Sequence, residues 1–281
     1  MIKKVLFTTI LLFVLAYNGA VIYMENNYKD SKVYDSKHKV WISRGLYNSK
    51  SEQNSIKSIN RAFESGASGV EVDFHYDVKM NRFIVSHDHP KKDKNGKLIY
   101  AMKDSKLLTL EKLFQENKEY TRYFWLDYKN LDKLTTEQTL KAIKRLNQIS
   151  KYNALKKCLY IEGSNPLKLA LYTNAGFHTI LGIHPLAQNN IFSNIVLNGY
   201  KIAYFFKNIS AIAMPYGDIN NPIYSNEAQK TLNGIPIFLF HVPNNDNLLK
   251  ALVQKNDIRV MLVGRDESIN KTNIIADGKN R

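Results

Sequence analysis

Gly69-Val70-Glu71-Val72-Asp73-Phe74-His75-Tyr76 and Phe83-Ile84-Val85-Ser86-His87 are two strand-like runs with only six residues between Tyr76 and Phe83. A parallel crossover takes a dozen residues or more, so the second run must return beside the first as a hairpin. Outward from this pair, short runs of strand composition recur at 39–43, 123–128, 158–162, 178–183, 210–215, 236–242 and 259–264, most of them separated by helix-like segments. A Thr135–Gln138 capping box starts one helix, with Leu140, Ile143, Leu146 and Ile149 expected on a single face. Asn165-Pro166 opens another, and Gly176 closes it. With the returning hairpin strand set aside, eight strands remain. That count predicts a (β/α)8 TIM barrel with a β-hairpin excursion after the second strand. A doubly wound open sheet is the alternative, but no glycine-rich phosphate loop follows the first strand.

The chain has 281 residues, 44% of them hydrophobic, which fills a core of ordinary globular size. Its net charge of +15 favours anionic partners: phosphate esters, nucleic acid or an anionic membrane surface. The basic residues, Lys91-Lys92 and Lys156-Lys157 among them, are spread along the chain without a nucleic-acid module, so no nucleic acid is expected. A single Cys, Cys158, excludes an intrachain disulfide and any multi-cysteine metal site. At the N-terminus Lys3 and Lys4 precede an uncharged, largely apolar stretch from Val5 to Met24, long enough to cross a hydrocarbon core. The expected organisation is a signal anchor or signal peptide at 1–24, a polar linker at 25–38 and the barrel domain at 39–281. By the positive-inside rule the barrel lies on the non-cytoplasmic side, tethered to the membrane, or secreted if cleavage occurs near Ala20.

In such a barrel the active site gathers at the carboxyl ends of the strands. Here those ends read Ser43-Arg44-Gly45, Glu71-Val72-Asp73, Asp127-Tyr128-Lys129 and Glu162-Gly163. Strand alternation puts Glu71 with Asp73 on one face and Asp127 with Lys129 on one face. Three converging carboxylates need positive charge, and a hard divalent cation, Mg2+ or Ca2+, suits all-oxygen ligation. Glu71, Asp73 and Asp127 are the expected ligands, with Glu162 either a fourth or a residue that orients one; a metal-free ion-pair network with Arg44 and Lys129 is the other reading. His87, brought near the mouth by the hairpin, is the candidate general acid or base. His75 and His241 are further imidazoles, with structural roles expected for both.

The same residues resemble the glycerophosphodiester phosphodiesterase family, within the wider group of phospholipase-C-like barrel phosphodiesterases. Trp41-Ile42-Ser43-Arg44-Gly45, Gln53-Asn54-Ser55, Gly69-Val70-Glu71-Val72-Asp73 and Val85-Ser86-His87-Asp88 stand where the family shows His-Arg-Gly, Glu-Asn-Thr, Glu-x-Asp and His-Asp. Leu108-Thr109-Leu110 and Leu126-Asp127-Tyr128-Lys129 continue the match, the latter like the family's Glu-x-Lys strand. The resemblance implies a metal-dependent phosphoric diester hydrolase acting on glycerophosphodiesters or phospholipid headgroups. It also implies that Arg44, Lys129 and Asn54 contact substrate, with Arg44 and Lys129 countering the phosphate's charge, and that His87 transfers a proton. Three departures stand out: Ser43 for the first His, Gln53 for Glu and Asp127 for Glu. Serine cannot act as an imidazole at neutral pH. The alternative is therefore a catalytically impaired barrel serving as a ligand- or partner-binding module at the membrane.

Overall fold

A computed structural model describes residues 2–26, 33–103, 106–117, 122–151, 155–186 and 192–264. Its first element is the helix α1, Ile2–Asn26, of which Val5–Met24 has a mean hydropathy of 2.2 and is long and apolar enough to cross a membrane. Strand β1 (Val40–Ser43) leads to α2 (Ile56–Glu64) and then to β2 (Gly69–Asp77), which turns back as β3 (Arg82–Val85). After the small antiparallel pair β4 (Lys91–Lys92) and β5 (Leu98–Ile99) the chain regains the alternation with α3 (Leu110–Glu116). It proceeds through β6 (Tyr123–Tyr128), α4 (Thr136–Lys151), β7 (Leu159–Gly163), α5 (Pro166–Asn174), β8 (His178–Gly182) and α6 (Ser193–Phe206). The final elements are β9 (Ala211–Pro215), α7 (Asn226–Thr231), β10 (Ile237–Phe240), α8 (Asp246–Val253) and β11 (Ile258–Val263).

Eight strands, β1, β2 and β6 to β11, pair in parallel with their sequence neighbours, and β1 pairs with both β2 and β11, so the sheet closes. This is the expected TIM barrel. The hairpin is as expected too: β3 runs antiparallel to the upper half of β2, with Phe74 opposite Val85 and Asp77 opposite Arg82. Local signals fixed several helix ends. Thr135 and Gln138 exchange the two capping-box hydrogen bonds, and the Asn165 side chain accepts from the backbone of Leu167 and Lys168 ahead of Pro166.

One expectation fails in α4. Ile143, Leu146 and Ile149 are buried, but Leu140 is 52% exposed, and the inner face is completed by Thr139, Ala142 and Ser150. Residues three apart on a helix advance by 300° rather than a full turn, so a run at strict spacing of three drifts around the axis until its two ends oppose each other.

Inside the barrel, large aromatic side chains pack among small and aliphatic ones. Trp41, Trp125, Tyr160 and Phe238 meet edge to face or tilted, at centroid distances from 5.2 to 6.0 Å. Rings of that size fit only because small residues face them: Ala211, Ala213 and Gly69, where an added Cβ would lie 2.3 Å from the Trp41 ring. Tyr34 closes the base of this core against Trp41 and Tyr123, at 4.9 and 4.8 Å, and its hydroxyl donates to the His38 carbonyl. Within the stretch 25–38 expected to be a polar spacer, Val33 and Tyr34 are thus part of the barrel's packing.

Candidate metal and phosphate site

The register of neighbouring strands sets the site. Ser43 lies beside Glu71, Asp73 beside Asp127, and Asp127 beside Glu162, near the ends of β1, β6 and β7 and just before β2 continues into the hairpin. Inward alternation then turns these side chains toward one another. Glu71, Asp73 and Asp127 offer oxygens that all lie within 4.8 Å of one another.

Arg44 enters this cluster by way of an unusual backbone. Its φ of 57° and the φ of 79° at Gly45 bend the chain sharply at the end of β1. The Ser58 hydroxyl donates to the Arg44 carbonyl, and the Asn54 amide donates to the same oxygen. A Cβ on Gly45 would meet the Ser58 carbonyl carbon at 2.5 Å, so the turn requires glycine for conformation and for space. Gly45→Ala is expected to cost roughly 2–4 kcal/mol of stability, read from chemical denaturation; a change under about 0.5 kcal/mol would show that the turn relaxes freely.

Asp73 is the centre of the polar network and is fully buried. Asn54, itself buried with φ 58°, donates to Asp73 Oδ2 at 2.7 Å and accepts from the Asp73 amide at 3.0 Å. Arg44 Nε stands 2.8 Å from Oδ2, and Lys129 Nζ stands 2.6 Å from Oδ1 and also binds Asp127 Oδ2. The first two are ion-pair contacts only: Arg44 Nε and Asp73 Oδ1 are buried without an aligned hydrogen bond. Ser43 Oγ donates to Glu71 Oε2 at 2.9 Å, and Trp125 Nε1 donates to Glu162 Oε2 at 2.6 Å.

The electrostatics show a shortage of positive charge. Burial tends to raise the Asp73 pKa, but Lys129 and Arg44 outweigh it and hold this carboxyl below its usual range. The other three acids go the opposite way. Burial, reinforced by the neighbouring carboxylates, pushes Glu71 well up, raises Asp127 and lifts Glu162 to about 8. Lys129 and Arg44 are held protonated: the carboxylates around each outweigh the desolvation that acts against its charge. With all four carboxylates ionised against two cations, two negative charges stay uncompensated, a deficit that one divalent ion removes. The donor set is all oxygen, as a hard cation requires, and the Lys129 ammonium between Asp73 and Asp127 marks where positive charge is drawn in. The residues fit such an ion.

Glu162 gives this deficit a pH signature. Its folded pKa of about 8 lies above its ordinary 4.5, so between those values the native chain binds its proton more tightly than the unfolded chain. Stability from this group is greatest below pH 4.5 and declines as pH rises toward 8. In chelator, Glu162→Gln is expected to flatten the fall in Tm across that window; an unchanged slope would show that Glu162 does not titrate there.

A cavity of about 750 Å³ opens over the cluster. Arg44, Asn54, Glu71, Asp127, Lys129 and Glu162 all line it, while Asp73 lies beneath its floor. His87 lines it as well, its Nδ1 2.9 Å from Asp88 Oδ1. All the expected site residues are therefore gathered at one mouth. His75 is not among the lining residues. It is buried with its ring 5.3 Å from that of His89 under the excursion, and burial depresses its pKa to about 4.

The solved structures this chain resembles share this architecture. A glycerophosphodiester phosphodiesterase from Parabacteroides distasonis superposes with a TM-score of 0.58 at 18% identity, over 80% of this chain and 91% of that one. A protein from Galdieria sulphuraria, described as a candidate member of the same family, gives 0.60 at 13%, over 88% and 100%. The fold is that of the glycerophosphodiester phosphodiesterases. No family model and no curated protein matches the sequence, and at these identities the likeness is one of fold.

Two more histidines line the cavity: His184, just past β8 on the far side of the barrel from β1, and His241, with φ 52°, just past β10. His241 was weighed from the sequence; His184 was missed. The signal was present, since His178, Ile180, Gly182 and His184 share one alternation, but His184 lies one residue past the run 178–183 expected as a strand.

Proposed function

We propose that the chain is a metal-dependent phosphodiester hydrolase acting on glycerophosphodiesters or phospholipid headgroups, tethered by α1 with its barrel on the non-cytoplasmic side. The observation that carries this reading is the meeting of Glu71, Asp73 and Asp127 within 4.8 Å, short of positive charge, beside two cations at a barrel mouth. These three carboxylates would hold a Mg2+ or Ca2+ ion, with Glu162 next to Asp127, and the ion would supply Lewis-acid polarisation of a phosphoryl oxygen. Arg44 and Lys129 line the cavity and oppose the charge of a bound phosphodiester. Asn54 keeps Asp73 in place through its two hydrogen bonds. Because the His87 Nδ1 is paired with Asp88, its Nε2 is the nitrogen left to hand a proton to, or take one from, the reacting oxygens.

A second reading, a barrel that binds a phosphorylated ligand without turning it over, draws on Ser43, whose hydroxyl is occupied by Glu71 in place of a proton-transferring imidazole. One pair of measurements separates the readings. Divalent ion at a hundred times its Kd is expected to add about 2.7 kcal/mol, a rise in Tm of roughly 5–10 °C for a domain of this size. Purified chain is expected to hydrolyse a member of a phosphodiester panel in a way that chelator abolishes. A thermal shift without any turnover favours the binding module, and neither response removes the metal site itself.

A further inference from the structure

The outer helices of a soluble barrel normally show water a polar face, and α4 does so with Glu137, Lys141, Lys144 and Gln148 exposed. Helix α6 does not. Its barrel side buries Ser193, Leu197 and Tyr204. The face about half a turn round from these carries Ile195, Gly199, Ile202 and Phe206, extended by Phe192 at the N-cap. Ile195 and Phe206 are each 54% exposed and Phe192 is 56% exposed. A continuous apolar stripe of this kind on a helix is the mark of a surface that meets something apolar.

The same helix receives the membrane-length segment. Tyr23 in the last turns of α1 stacks on Phe206 at 6.3 Å and meets Phe205 edge to face at 5.8 Å, and Met24 is buried. Aromatic clusters at the end of an apolar span are suited to the headgroup layer. We infer that the outer face of α6, through Phe192, Ile195 and Phe206, lies in the interfacial layer of the bilayer that α1 spans. The inference rests on the proposed membrane tether. It also orients the site: α6 lies between the fifth and sixth barrel strands, whereas the excursion after β2 lies on the opposite side of the barrel. The excursion's exposed Lys91, Lys92, Lys94, Lys97 and Met102 therefore face the aqueous phase.

The test uses the full chain in phosphatidylglycerol–phosphatidylethanolamine vesicles, with Cys158→Ala as background and single cysteines carrying an environment-sensitive fluorophore at Leu12, Ile195 or Met102. Lipid-borne quenchers are expected to quench the probes at Leu12 and Ile195 at least about twofold more than the probe at Met102, and aqueous iodide the reverse. A quenched Leu12 probe with an iodide-accessible Ile195 probe overturns the inference while the tether stands. An Ile195 probe shielded from both quenchers points to a second copy of the chain and also overturns it. A Leu12 probe open to iodide removes the tether and the inference together.

Discussion

Asp73→Asn is expected to lower kcat/KM by at least about 10²-fold while the barrel stays folded. The amide preserves shape and can still meet Asn54, but it takes away the carboxylate on which Arg44 and Lys129 converge. It also removes one of the three carboxylates proposed to hold the divalent ion, so the divalent thermal shift should shrink in parallel. The amide is a safer probe than Asp73→Ala, which leaves two half-buried cations facing a void, and losing one partner of a buried pair costs about 3–5 kcal/mol. Circular dichroism and Tm in chelator verify that the variant is folded. Wild-type turnover in a folded Asp73→Asn chain would remove the carboxylate cluster from the reaction.

Ser43→His is expected to raise turnover by about 10² to 10⁴, the usual contribution of a well-placed proton-transfer group. Ser43 sits at the end of β1 with its side chain on Glu71 and on the cavity wall, so an imidazole there would border both the carboxylate and the open space. The gain should come with a new pH dependence near ~6.5, where an unperturbed imidazole titrates. If His241 or His184 already does this work from elsewhere on the cavity wall, the added His brings no gain. His241→Ala and His184→Ala then identify which one, through loss of rate and of the alkaline or acid limb of the profile.

Some of this protein was determined by the sequence alone. The barrel followed from backbone geometry: six residues between Tyr76 and Phe83 permit only a hairpin, and removing that strand left eight. Alternation is equally local, which is why Glu71 with Asp73 and Asp127 with Lys129 could be paired from their spacing. The Thr135–Gln138 and Asn165-Pro166 caps were legible for the same reason.

Other features depended on closure of the barrel. That Lys129 bridges Asp73 and Asp127, that Tyr34 closes the base of the aromatic core, and that His184 joins the cavity wall all rest on contacts between segments far apart in the chain. Leu140 was misplaced because apolarity shows which residues seek burial, while the helix's actual rotation against its neighbours decides which of them reach it. Periodicity is a property of the local backbone and survives in the sequence; charge balance and packing are sums over neighbours that only the closed fold supplies.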